Sequence, residues 1–176
     1  DVDNHLGGYF LSDIWLLKVD SNGNKEWNRV IGGSHEDNAS AVIEGPDGGC
    51  YIVGGTYSND YDCTELHSPP GDRADAFVAR VDGNGDLLWS RCLGGMNSDW
   101  AYDLCADGKG GMLIAAAASS GDGDVSHHKG GSNFWLVNMD SSGNIIWDNC
   151  YGGVNARATA ICISTDGNIW MGGTTG

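Results

Sequence analysis

A chain of 176 residues with 24 acidic against 9 basic side chains carries a net charge of −15. That balance argues against nucleic-acid backbones and anionic membrane surfaces as partners, because both select Lys and Arg. No apolar run approaches the roughly 18 residues that membrane insertion by a helix needs. With 29 glycines, 7 tryptophans and only 3 prolines, the composition is that of a turn-rich β protein.

In chain order, the first predicted strand covers residues 14–19 and is apolar on both sides, as in a strand buried between neighbouring sheets. Asn22-Gly23 supplies a hairpin turn that needs positive φ, and the second strand follows with Trp27. After Gly32-Gly33 come a third strand at Ala39–Glu44 and a fourth at Cys50–Thr56. The same order then returns twice. Asp13–Asp20 is echoed by Asp75–Asp82 and by Asn133–Asp140, each followed by a tryptophan (Trp27, Trp89, Trp147) and a Gly-Gly pair. Repeats fall at about 1–57, 58–120 and 121–176, within one domain over 1–176. Four short strands per repeat of about 60 residues is the pattern of a β-propeller blade. The expected fold is therefore all-β, three four-stranded antiparallel repeats. Propellers close with about four to eight blades, so three make an incomplete ring: a fragment of a larger propeller, or a protomer whose ring is completed by further repeats or a second copy.

The units Trp-Leu-x-Lys-x-Asp-x-x-Gly-Asn-x-x-Trp…Gly-Gly, from Trp15 to Gly33, precede loops such as Asp122-Gly123-Asp124-Val125. Together they resemble the β-propeller repeats of secreted Bacteroidetes-type surface proteins. The resemblance spans essentially the whole chain. It implies the propeller architecture and a secreted or cell-surface setting, and carries no particular activity.

Chemistry is expected in the loops, where the repeats disagree. Those between second and third strands carry His35, Glu36 and Asp37, then Asn97, Asp99 and Trp100, then Asn155 and Arg157. These eight are the candidate ligand-binding residues, for a glycan or a protein; Trp100 is equally a side chain packed between blades. The loops leading to the next repeat hold Asp60 and Asp62, and Asp122 and Asp124. Carboxylates two apart in a Gly-containing loop can face one Ca²⁺, while Asp and Gly also simply make turns. Asp20-Ser21-Asn22-Gly23-Asn24 imitates the start of a calcium loop, but its glycine comes too early and hairpin chemistry accounts for it.

Cys92 and Cys150 share a repeat position held by Val30 in the first copy, and Cys105 and Cys162 share one held by Ile43. Paired replacement predicts disulfides Cys92–Cys105 and Cys150–Cys162, leaving Cys50–Cys63, in an oxidising compartment. The other reading is buried thiols filling Val and Ile volume. No nucleophile elbow, zinc-protease helix or phosphate loop is present. The sequence thus reads as a non-enzymatic extracellular binding or adhesion module. The alternatives are a structural scaffold repeat of a larger surface protein and, behind it, part of a polysaccharide-active enzyme.

Overall fold

The computed structural model describes Leu6 and residues 11–176, in which the regular structure is β-strand throughout. The strands are β1 (Ile14–Val19), β2 (Lys25–Ile31), β3 (Asp37–Glu44), β4 (Cys50–Thr56), β5 (Asp75–Val81), β6 (Leu87–Leu93), β7 (Asp99–Ala106), β8 (Met112–Ala118), β9 (Asn133–Met139), β10 (Ile145–Tyr151), β11 (Arg157–Ile163) and β12 (Ile169–Thr174). The all-β class and the four strands per repeat are as expected. All pairing is antiparallel.

The sheets are not the repeats. Strands β3-β4-β5-β6 form one sheet and β7-β8-β9-β10 another, while β1-β2 and β11-β12 stand as two-stranded sheets. Each four-stranded sheet thus takes the last two strands of one repeat and the first two of the next. The long loops at 57–74 and 119–132 stay within a sheet. The short Gly-Gly connections cross from one sheet to the next. Among the described residues the sheets form no closed ring.

Strand alternation explains why these strands are apolar on both sides. In β5, Ala76 and Val78 join one core with β7, β8 and β9, whereas Phe77, Ala79 and Val81 join another with Ile14 and Ile31. Successive side chains point to opposite faces, and each face meets a different neighbouring sheet. A third core, with Leu113, Ala115 and Leu136, packs on Ala158 and Ile161. The repeated tryptophan joins sheet to sheet. Trp27 Nε1 donates to the Gly83 carbonyl at 3.0 Å, and Trp89 Nε1 to the Ser141 carbonyl at 3.1 Å. Each indole thereby caps the hairpin turn of the following sheet.

Those turns are held by aspartates, as hairpin chemistry requires. Asp20 accepts from the amides of Asn22 and Asn24, Asp82 from Asn84 and Asp86, and Asp140 from Ser142 and Asn144. These hydrogen bonds favour the ionised form and hold all three carboxyls below their ordinary range. Gly23, Gly85 and Gly143 occupy the left-handed region there, with φ of 84°, 93° and 83°.

The expected disulfides are corrected. All six cysteines are free thiols. Cys92 and Cys105 flank a connection that changes sheets, so they are not cross-strand neighbours; Cys92 lies in the core beside Phe77, and Cys105 packs against the third core. Cys150 is buried in the central core, while Cys162 on β11 is exposed. Cys50 and Cys63 border one core without bonding. Cys92, Cys105 and Cys150 thus pack as thiols at positions that Val30 and Ile43 hold in the first copy. Burial raises the pKa values of Cys50, Cys63, Cys92, Cys105 and Cys150, with Cys105 and Cys150 pushed up to about 11.

Candidate functional site

The loops at one end of the sheets are built on a frame that appears twice with identical spacing. Asp37, the first residue of β3, is buried. It accepts from Gly33 N at 2.7 Å, from Ser58 Oγ at 2.9 Å and from Thr56 Oγ1. Ser58 Oγ in turn accepts from His35 N at 2.9 Å, and Asp60 Oδ1 accepts from Ser34 N at 2.8 Å. In the next sheet Asp99 accepts from Gly95 N at 2.9 Å, Ser120 Oγ at 2.6 Å, Ser120 N at 3.1 Å and Ser119 N at 2.9 Å. Ser120 Oγ accepts from Asn97 N at 2.9 Å, and Asp122 Oδ1 from Met96 N at 3.0 Å. Three successive amides of each of these two sheet-changing connections therefore meet side-chain acceptors.

This frame accounts for the Gly-Gly pairs. A Cβ on Gly33 would lie 2.5 Å from Asp60 Oδ1 and from Ser58 Cβ, and one on Gly95 would lie 2.2 Å from Asp122 Oδ1. In the third copy the aspartate is replaced by Ala156, and Gly153 has open space around its Cβ position.

The eight candidate ligand residues consequently divide. Asp37 and Asp99 are interior supports rather than surface groups, and burial is the main influence raising their pKa values despite their hydrogen bonds. Trp100 packs between sheets: its ring fills the space where Gly55 has no side chain, and its Nε1 donates to Ser40 Oγ at 3.1 Å. His35 lies against Ser34 and Gly71. Glu36 is exposed and accepts from Asn38 Nδ2; Asn97 is exposed and accepts from Arg73. Arg157 lies over the Tyr102 ring at 5.3 Å, and Asn155 holds a left-handed backbone with φ 60°. These residues are spread over three connections and do not converge.

The four candidate calcium carboxylates also have separate occupations. Asp60 and Asp122 clamp the frame, Asp62 lies 3.8 Å from Arg29, and Asp124 accepts from Gly94 N at 3.2 Å. Among the described residues, no three His, Cys, Asp or Glu side chains gather as a metal cluster.

A more concentrated site lies where the second copy departs from the others. Its long loop places Glu65 and His67 beside Arg91 of β6 and Asp124 of the following loop, around a hollow of about 540 Å³ floored by Cys92, Leu93 and Ile145. Glu65 holds a left-handed backbone with φ 71°. His67 Nδ1 stands 2.6 Å from Asp75 Oδ2, which also accepts from His67 N at 3.0 Å; His67 Nε2 stands 3.6 Å from Asp124 Oδ2. Asp75 is wholly buried and can only accept when ionised, so Nδ1 carries the hydrogen and Nε2 faces the hollow. Partial burial pulls the His67 pKa down, but the hydrogen bond and charge of Asp75, with Asp124 and Asp99 nearby, outweigh it and hold the ring above its ordinary value. Burial raises the Asp75 pKa. Copies one and three use Asp13 and Asn133 at the same position, accepting from Leu6 N and Lys129 N. In the second copy the His67 side chain joins this acceptor. The sequence alone singles out no role for His67; the length of its loop was the available signal.

No family model matches the sequence. The chain is similar to the regulatory protein FlaEY of Caulobacter vibrioides, at 30% identity over 139 residues. The match covers 76% of this chain and 14% of that protein. The chain thus spans about one seventh of the relative's length.

Proposed function

We propose that this chain is a non-catalytic binding module built of β-propeller repeats, which belongs to a secreted or cell-surface protein and uses the hollow around His67 to hold a glycan or protein ligand. One observation carries the reading: side chains of both charges converge on the hollow from two loops and a strand, and the loops are fixed from behind by the buried Asp37 and Asp99 frames. A preorganised polar concavity is what a specific binder needs. Glu65 and Asp124 accept from sugar hydroxyls or a partner's amine, and Arg91 and protonated His67 donate. An excess of acid over base across the chain favours neutral or basic ligands. A base alone does not make a catalyst: the Cys92 thiol at the floor is pushed well above its ordinary pKa by burial and stays protonated.

The test is a glycan array and a protein pull-down with the native chain, repeated with Glu65→Gln/Asp124→Asn. Binding that drops at least tenfold in the double variant supports the hollow as the site. Equal binding by both proteins removes the ligand from the hollow. Binding of nothing leaves the scaffold reading, in which the repeats are spacers of a larger surface protein.

A further inference from the structure

The sheet β3-β4-β5-β6 meets a neighbouring sheet on each face, and the two interfaces carry the same parts in different use. In the first, Arg29 Nη2 lies 3.8 Å from Asp62, and Arg29 Nη1 donates to the Gly85 carbonyl at 3.3 Å. The repeat puts Arg91, Asp124 and Gly143 at these three positions of the second interface. The backbone agrees: Asp62 N donates to the Gly32 carbonyl at 3.1 Å, and Asp124 N to the Gly94 carbonyl at 2.8 Å. Among the described residues, however, Arg91 contacts neither counterpart. Its Nη1 donates to the carbonyl of the adjacent Ser90 at 2.9 Å, and Asp124 faces His67 Nε2 at 3.6 Å instead. A gap that arginine bridges in the first interface is therefore open in the second, and Arg91, Asp124 and Gly143 line it as walls of the hollow.

We propose that the hollow takes a small zwitterion, an amino acid or an aminated uronic sugar, whose carboxylate pairs with Arg91 and whose ammonium pairs with Glu65. This inference rests on the binding role proposed above for the hollow and names its ligand. The charges sort as follows. His67 is occupied at both nitrogens, Nδ1 by Asp75 at 2.6 Å and Nε2 by Asp124. Arg91 and Glu65 then line the same hollow as opposite charges, and among the described residues no ion pair joins them.

Glu65 is held apart from Arg91 by its own loop. Its backbone is left-handed, with φ 71°, which a glutamate seldom adopts. The residues after it are anchored: Leu66 N donates to Asn59 Oδ1 at 3.2 Å and its side chain is buried, and His67 N donates to Asp75. Strain kept in place by its surroundings is a mark of a working site. The separated pair also selects among ligand charges. A neutral ligand covering the hollow strips water from Arg91 and Glu65 and pairs neither, and a singly charged ligand pairs one and strands the other. A zwitterion pairs both. The planar guanidinium suits a carboxylate, which it can meet with two parallel hydrogen bonds. A ligand without net charge also meets no long-range repulsion from a chain of net charge −15.

The experiment is calorimetric titration of the native chain with probes up to about 10 mM. The amino-acid arm uses γ-aminobutyrate and ε-aminocaproate, compared with butyrate and butylamine. The sugar arm uses galactosaminuronate, compared with galacturonate and galactosamine. In at least one arm the zwitterion is expected to bind at least about tenfold tighter than either singly charged comparison, and that arm identifies the source. Arg91→Gln is expected to bring the zwitterion down to the level of the amine while the amine binds as before, a result that unfolding cannot give. Glu65→Gln is expected to bring it down to the level of the carboxylate. Absence of zwitterion binding over the whole range overturns the proposal. So does a singly charged comparison that binds as tightly as its zwitterion, or a tenfold advantage that survives both variants. A glycan or protein whose binding falls in Glu65→Gln/Asp124→Asn but not in Arg91→Gln overturns the zwitterion and keeps the hollow as the site, so the two readings fail separately.

Discussion

Replacing Asp99 by Ala tests the claim that the buried aspartates hold the loops. The carboxylate accepts from Gly95 N, Ser119 N, Ser120 N and Ser120 Oγ at 2.6–3.1 Å. Ala leaves those donors without their acceptor. A buried orphaned donor costs about 1–3 kcal/mol, and water reaching the space left by the carboxylate recovers part of it. The variant also relieves the cost of burying a charge, which is expressed in the raised pKa of Asp99. The net expected loss is about 2–4 kcal/mol by urea unfolding, against under about 0.5 kcal/mol for exposed Asp72→Ala. The pH profile supplies an independent sign. A native pKa above the ordinary aspartate value of 3.8 means that the folded state keeps a proton the unfolded chain releases. This contribution is therefore fully present below about pH 3.8 and is lost as pH rises through the folded pKa. Subtracting the Asp99→Ala profile from the native one must show that fall. A variant within about 0.5 kcal/mol of the native chain, or a difference profile that rises with pH through this window, refutes the supporting role.

His67 titrates above 6.5 by NMR, and its protonated form stabilises the fold; that stability is present below pH 6.5 and lost as pH rises through the folded pKa, a slope His67→Gln removes. A midpoint at or below 6.5 contradicts the Asp75 pairing. Under native conditions a thiol reagent labels Cys162 first, and the buried Cys63, Cys92 and Cys150 react only on unfolding; native labelling of all six at equal rates counts against the packing. Gly33→Ala drives a Cβ into Asp60 and Ser58 and loses about 1–3 kcal/mol, whereas Gly153→Ala, at the same repeat position with open space, changes stability by under about 0.5 kcal/mol. Equal effects at the two glycines would remove the frame as the reason for the pair.

The strands were legible because repetition and alternation report on local geometry, and the two signals agree at every copy. Sheet membership was not, because it depends on which connection changes sheets. The short stretch from Gly32 to Glu36 has the length of a hairpin loop, and only the pockets that Asp37, Ser58 and Asp60 make for its amides reveal that it turns away from its own sheet. The misplaced disulfides follow from the same error: Cys92 and Cys105 look adjacent if their connection is a hairpin. Their exchange for Val30 and Ile43 carried the correct information, since equal volume matters in a core and bonding partners do not. A stronger signal lay in the spacing of Asp37 to Ser58 and Asp99 to Ser120, which is identical in two copies although the surrounding loops diverge. Constant separation across variable sequence marks a contact, so these aspartates belonged with the scaffold. His67 is the opposite case. It sits in the longest of the loops that lead to the next repeat, where the copies are hardest to align, and it bonds Asp75, at the position where Asp13 and Asn133 accept from backbone amides in the other copies. A longer loop can thus bring a side chain onto a lone pair that the frame already positions.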